Sequence, residues 1–347
     1  MALFLVLLAC GALLLLNGIR YIKEYDEAYL PEDSRVVEFT VARGEGYNSI
    51  GERLEQQGII DDADIFIYKT KLKEYGPKYQ AGTFYLSPSM TMEELMQSLQ
   101  NAKAQTVRFT IPEGYTVLQT AESLEKQGIC TAQDFLSGLE ACDADYWFLQ
   151  ELGEGLENPQ GTVSAAANRY EGFLFPDTYE IRKGASAEDV LAVMFRRFDQ
   201  IFTEEMQAQM NDRALTVKEV GTRASLIERE CRVDEERPRI ASVIYNRLAK
   251  GMNLELDCAI QYILGNPKEG LLYSDLEIES PYNIYKHSGL TPGPIASPGL
   301  ASIQAVLTPE DTGYYYYVLK SKSSTEHNFA ETYDQFLVYK QEYKNSK

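Results

Sequence analysis

Val37-Glu38-Phe39-Thr40-Val41 recurs 70 residues further on as Val107-Arg108-Phe109-Thr110-Ile111. In both, an apolar residue alternates with a polar or charged one, the pattern of a strand with one buried face. The match runs on without a gap. Gly44 answers Gly114, Leu54-Glu55-Gln56-Gln57-Gly58-Ile59 answers Leu124-Glu125-Lys126-Gln127-Gly128-Ile129, and Asp64 answers Asp134. Self-similarity at a fixed spacing marks a repeated supersecondary unit. Each copy reads as a strand, a turn glycine, and a short amphipathic helix. That helix ends at Gly58 or Gly128, where glycine can take the left-handed cap. A second helix follows around Asp64-Ile65-Phe66 or Asp134-Phe135-Leu136. A fainter echo pairs Gly82-Thr83-Phe84-Tyr85-Leu86 and Met92-Glu93-Glu94-Leu95 with Asp177-Thr178-Tyr179-Glu180-Ile181 and Ala187-Glu188-Asp189-Val190. Both are a strand, a loop and a helix, so the fold class is α+β.

Upstream of the repeat, residues 1–19 are almost wholly apolar, with Asn17 the one polar side chain. About 20 such residues span a bilayer. The stretch has no basic leader and no clear small-residue cleavage site, so a retained transmembrane helix is expected rather than a cleaved signal. Leu7-Leu8-Ala9-Cys10 loosely resembles a lipobox, but the apolar run continues through Leu16. Arg20 and Lys23 follow the span, and the positive-inside rule taken alone would put the globular part in the cytoplasm. The expected organisation is a transmembrane helix at 1–19, a juxtamembrane linker at 20–34, a first subdomain at 35–103 and a catalytic domain at 104–347. The second repeat occupies about 106–140 of that last domain, and residues 153–168, rich in Gly and Ala, read as a loop.

Composition excludes some functions. The chain has 347 residues, 44% of them hydrophobic, and a formal charge of -19. Nucleic-acid binding rests on Lys and Arg neutralising phosphate, so no nucleic-acid partner is expected. With only His287 and His327, and no Cys/His spacing of the zinc type, no metal or other cofactor is expected. The five cysteines are scattered and read as small buried hydrophobes.

Thr216 to Arg232 should be a helix, opened by the capping box Thr216-x-x-Glu219. Val217, Val220, Ala224, Ile227 and Cys231 recur every three or four residues and form one apolar stripe. At about 100° per residue, Glu228 lies roughly 60° from the stripe centre, with Glu230 at roughly 100° and Glu219 at roughly 120°. Glu228 is therefore the acid expected to be half-buried. Without a close cation such a carboxyl keeps its proton and can act as a general acid; Arg229 and Arg232 would oppose this if they folded back. A second helix should start near Pro238 and stop at Gly251. Near its end, Asn246 can hydrogen-bond a sugar or cap a turn. Asp257 enters a further helix.

Residues 280–299 hold four prolines and three glycines among Ser280, Tyr282, Asn283 and Tyr285. A stiff segment with aromatic faces and side-chain donors suits a sugar-binding wall, because little chain entropy is lost on binding.

Strand, glycine turn, helix, helix, strand resembles a LysM-like glycan-binding module. The whole ordered set resembles the YceG-like endolytic murein transglycosylases. It comprises Glu171-Gly172-Phe173-Leu174-Phe175-Pro176-Asp177-Thr178-Tyr179, Ala224-Ser225-Leu226-Ile227-Glu228, Asn246-Arg247-Leu248, Asp257, Ser280-Pro281-Tyr282-Asn283-Ile284-Tyr285, Gly293-Pro294-Ile295-Ala296-Ser297-Pro298-Gly299 and His327-Asn328-Phe329. The resemblance implies a single-pass cell-membrane protein facing the wall, with peptidoglycan glycan strands as substrate and peptidoglycan synthases (penicillin-binding proteins) as partners. It implies Glu228 as the catalytic acid and then base, and Glu171, Asn246, Asp257, Ser280, Tyr282, Asn283 and Tyr285 as substrate-binding residues. The bond cleaved would join N-acetylmuramic acid to N-acetylglucosamine and leave a 1,6-anhydro end. Glu255 and Cys258 depart from the family's usual Gln and Pro around Asp257. Two rival readings are a non-catalytic scaffold that docks wall synthases, and a conventional muramidase that uses a second acid such as Glu230 or Asp257.

Overall fold

A computed structural model describes residues 18, 25–33, 35–101, 106–265, 268 and 270–346. The expected transmembrane helix at 1–19 lies outside the described residues, apart from Gly18. Among the described residues no helix is long and apolar enough to cross a membrane. The chain divides into two compact units, residues 1–107 with 180–183, and residues 108–179 with 184–347.

The first copy of the repeat is built from β1 (Val37–Val41), α1 (Tyr47–Gln56), α2 (Ala63–Leu72), β2 (Gly82–Leu86) and α3 (Met92–Ser98). β1 and β2 are antiparallel, with Phe39 opposite Phe84. Phe39, Ile50, Leu54, Phe66, Phe84 and Leu95 close the core. Part of the expected linker is tied to this unit, since Ala28 bridges to Thr91 and the Leu30 amide donates to the Pro88 carbonyl at 3.0 Å.

The second copy repeats the plan with β3 (Thr106–Thr110), α4 (Val117–Lys126), α5 (Ala132–Glu140), β4 (Thr178–Arg182) and α6 (Ala187–Ile201). β3 pairs with β4. A threonine pair marks the same place in each copy: Thr40 and Thr83 hydroxyls lie 3.3 Å apart, Thr110 and Thr178 2.9 Å. The copies differ in what lies between the second helix and the second strand. In the second copy this segment holds the expected loop, organised by Asn158, whose Oδ1 accepts the Thr162 and Val163 amides at 2.8 Å each. The loop ends in a Ser164-capped turn at Ala165–Asn168 and then the Glu171 turn.

The rest of the second unit is mainly helical: α7 (Glu204–Asp212), α8 (Val217–Glu230), α9 (Arg237–Ala249), α10 (Asp257–Leu264) and α11 (Leu300–Leu307). A hairpin of β5 (Tyr316–Leu319) and β6 (His327–Ala330) and the terminal α12 (Tyr333–Asn345) complete it. α8 packs against α9, α10 and α11. The Thr216–Glu219 capping box is present, and Pro238 sits in the first turn of α9.

Candidate active site

The predicted stripe of α8 is buried, with Val217, Val220, Ala224, Ile227 and Cys231 all enclosed. Glu228, at the edge of the stripe, has a side chain only 8% exposed. It does not meet the expectation of a carboxyl with no close cation. Arg237, the first residue of α9, lies 3.2 Å away, rather than Arg229 or Arg232. Glu228 Oε2 also accepts from the Gly299 amide at 3.1 Å and from Ser302 Oγ at 2.8 Å. A buried carboxylate needs such partners. Oε2 thus takes three bonds and Oε1 one, from Arg237 at 3.4 Å, and Glu228 lines none of the cavities described below. Glu113 lies over Gly299, where an added β-carbon would stand 1.9 Å from its Oε1. Burial, and then the charge of Glu228, hold the Glu113 carboxyl above its usual range.

Two residues on, the last residue of α8 points elsewhere. Glu230 Oε1 accepts the Cys258 amide at 3.2 Å, and Oε2 accepts Tyr317 Oη at 3.0 Å. Burial, then Glu230, push the Tyr317 phenol well above its ordinary value, so it stays protonated and acts as a permanent donor. Glu230 and Tyr317 stand on a wall shared by two cavities of about 440 and 510 Å³. The smaller also contains Asp257 and Tyr285, and the Tyr285 hydroxyl donates to Asp257 Oδ1. Burial, and then this bond, push the Tyr285 phenol up. The larger contains His327, whose Nδ1 lies 2.7 Å from Glu236 Oε2. Asp257 is the first residue of α10, with Leu256 at the cap position.

The proline-rich segment is not a uniform sugar wall. Tyr285 faces a cavity, but Tyr282 is 4% exposed and packs on Tyr262, ring centroids 5.1 Å apart. Burial pushes the Tyr282 phenol up to about 12. Asn283 is fully buried, and its Nδ2 donates to the Leu276 and Ile278 carbonyls at 2.9 and 2.8 Å. A tight buried turn must satisfy its own backbone groups, and Asn283 does so. Ser280 Oγ accepts the Tyr282 amide at 3.3 Å, beside a shallow hollow with His287. Asn246 lines none of these cavities; its Nδ2 donates to the Thr312 and Tyr314 carbonyls at 2.8 and 2.9 Å, pinning the chain that leads into β5. Tyr282 and Asn283 are thus buried and Asn246 half-buried. Their composition is that of a binding surface, but their polar atoms are engaged inside the protein.

Glu171 is 3% exposed and lines a third cavity of about 390 Å³ with Arg229, Gln160 and Gln261. Both carboxyl oxygens accept the Val117 amide at 3.1 Å. The turn that presents it depends on Gly172 at φ 85°, where a β-carbon would meet Pro294 Cβ at 2.4 Å. Burial raises the Glu171 pKa to about 8 from an ordinary 4.5. An acid whose folded value exceeds its unfolded value holds extra protons when folded, so stability falls as pH rises between the two values. Glu171→Gln should remove a slope of up to about 1.4 kcal/mol per pH unit over that window. Denaturant melts at pH 5 and pH 8 measure it, and an equal slope in both proteins would rule out a neutral buried Glu171.

A family model described as YceG-like matches residues 39–342, and the chain belongs to that family. A protein of Bacillus subtilis (strain 168) named endolytic murein transglycosylase is 32% identical over 94% of this chain and 90% of its own. One of the same name from Streptococcus pneumoniae (strain D39) is 33% identical over 91% of this chain, which spans 59% of that longer protein. A crystal structure of a putative YceG-like protein from Listeria monocytogenes matches with a TM-score of 0.55 at 30% identity, over 88% of this chain and 99% of its own.

Proposed function

We propose that this chain is a peptidoglycan lytic transglycosylase in which Glu230, in place of Glu228, carries the proton. The observation behind this is Glu230's position on the wall between two cavities, held by Tyr317 and the Cys258 amide. Relatives named for this activity support the substrate class. In the first step Glu230 gives its proton to the oxygen between N-acetylmuramic acid and N-acetylglucosamine, and that bond breaks. The carboxylate then takes the proton of the muramic C6 hydroxyl as that oxygen bonds to its own anomeric carbon. The product is a 1,6-anhydro end, and no water is consumed. An intramolecular nucleophile is already in place, which substitutes for a second catalytic group. Tyr317 and the Cys258 amide hold the carboxyl in one orientation through both steps. Glu228 with Arg237 is the scaffold beneath.

On this reading residues 1–19 anchor the chain in the cell membrane with the catalytic part outside. The two strand–helix–helix–strand copies are LysM-like glycan contacts, and wall synthases are its neighbours. A muramidase is the second reading, favoured by Asp257 on the same cavity as Glu230, where it would activate water. Mass spectrometry of the ends released from purified strands separates them. Anhydro ends are expected; reducing ends heavier by one water would establish the muramidase instead.

A further inference from the structure

Acids outnumber Lys and Arg in this chain by 52 to 33, yet the larger cavity beside Glu230 reverses that balance. Its described lining carries Arg229, Arg232 and Lys322 against one acid, Glu230. Among the described residues neither Arg232 nor Lys322 is in an ion pair with a carboxylate. Lys322 is tied near the cavity rather than neutralised there. Arg232 follows directly from the end of α8. The Lys322 ammonium donates to the Lys344 carbonyl at 3.1 Å and its amide to Ser346 Oγ at 3.0 Å, which ties the turn to the end of α12. Arg229 is fixed by the Gly114 carbonyl at 3.2 Å. The neighbouring cavity differs: there Arg247, Lys340 and Lys344 face Glu230, Glu255 and Asp257, a balanced set suited to an uncharged sugar.

A strand stripped of its stems keeps one carboxylate per muramyl sugar, on the lactyl group held close to the ring. The peptide stem on that lactyl group carries its free carboxylates farther out, at a reach that three cations spread around a cavity of about 510 Å³ can meet. We propose that the cavity lined by Arg229, Arg232 and Lys322 binds the carboxylates of the peptide stem, so that the substrate is a strand still bearing its stems. This rests on the transglycosylase reading above. Unpaired cations at a cavity rim attract an anionic group before contact and pair with it afterwards, an effect weakened by salt.

The test uses the full chain in detergent and two substrates: peptide-bearing strands, and the same strands after an amidase has removed the stems. The wild type should favour peptide-bearing strands in kcat/KM by about tenfold, mostly through KM, as a pair of partly exposed charge contacts can supply. The preference should shrink as salt rises. Arg232→Gln with Lys322→Gln should reduce it to within about twofold, and Arg232→Lys with Lys322→Arg should retain it. Equal kcat/KM on the two substrates in the wild type, or equal loss on both in the Gln variant, overturns the inference alone. Cleavage of neither substrate overturns the transglycosylase reading and this inference with it.

Discussion

Glu230→Gln is expected to lower strand cleavage by about 10³-fold, the usual yield of a positioned acid–base group. The change is nearly isosteric, and the side-chain carbonyl can still accept from Tyr317 or the Cys258 amide, so the melting temperature should move little. Glu228→Gln should do the reverse. It leaves Arg237, with a side chain 6% exposed, facing a neutral amide, so it should lower the melting temperature while cleavage persists below it. The pair of variants discriminates because the two acids lie on one helix two residues apart and differ in surroundings. Full cleavage by Glu230→Gln, or a dead but fully stable Glu228→Gln, would return the catalytic role to Glu228.

The second large effect is on stability. Arg237→Ala strips a buried carboxylate of its cation, and breaking such a pair costs about 3–5 kcal/mol. Arg237 also reaches Asp234 at 2.9 Å, but that acid's side chain is 72% exposed and adds little. Replacing both partners together, Arg237→Met with Glu228→Leu, should recover most of the loss, since two apolar side chains leave no stranded charge. Denaturant midpoints measure both. A loss under about 1 kcal/mol in Arg237→Ala would mean that Glu228 is solvated after all.

Local patterns carry a good part of this architecture. The 70-residue recurrence anticipates both strand–helix–helix copies, and the fainter echo of 82–86 at 177–181 anticipates β4 as a strand. The stripe and capping box of α8 are equally local. Helical phase puts Glu228 beside the stripe, and its side chain is 8% exposed. Phase cannot say what encloses it, because Arg237 arrives from another helix and Ser302 and Gly299 from more than seventy residues away. Access at Glu230 is likewise made by β5 and α12, near the far end of the chain. Nothing local distinguishes Tyr317 within its run of four tyrosines, or Glu113 beside its turn glycine. Composition also could not separate Tyr285, which faces a cavity, from Tyr282, three residues earlier and buried.

The matched threonine pairs have a consequence for how the cavity-lining Glu171 turn could be housed. The first pair closes a span of 43 residues and the second a span of 68. Closure entropy grows only with the logarithm of length, so the longer span adds about 0.4 kcal/mol. A repeat whose ends are clamped by paired strands can therefore carry a substantial insertion at almost no thermodynamic penalty. In the second copy that passenger is the Asn158 loop and the Glu171 turn, two walls of one cavity. The duplicated unit thus acts as a socket, with one copy left plain and the other fitted with part of a cavity wall.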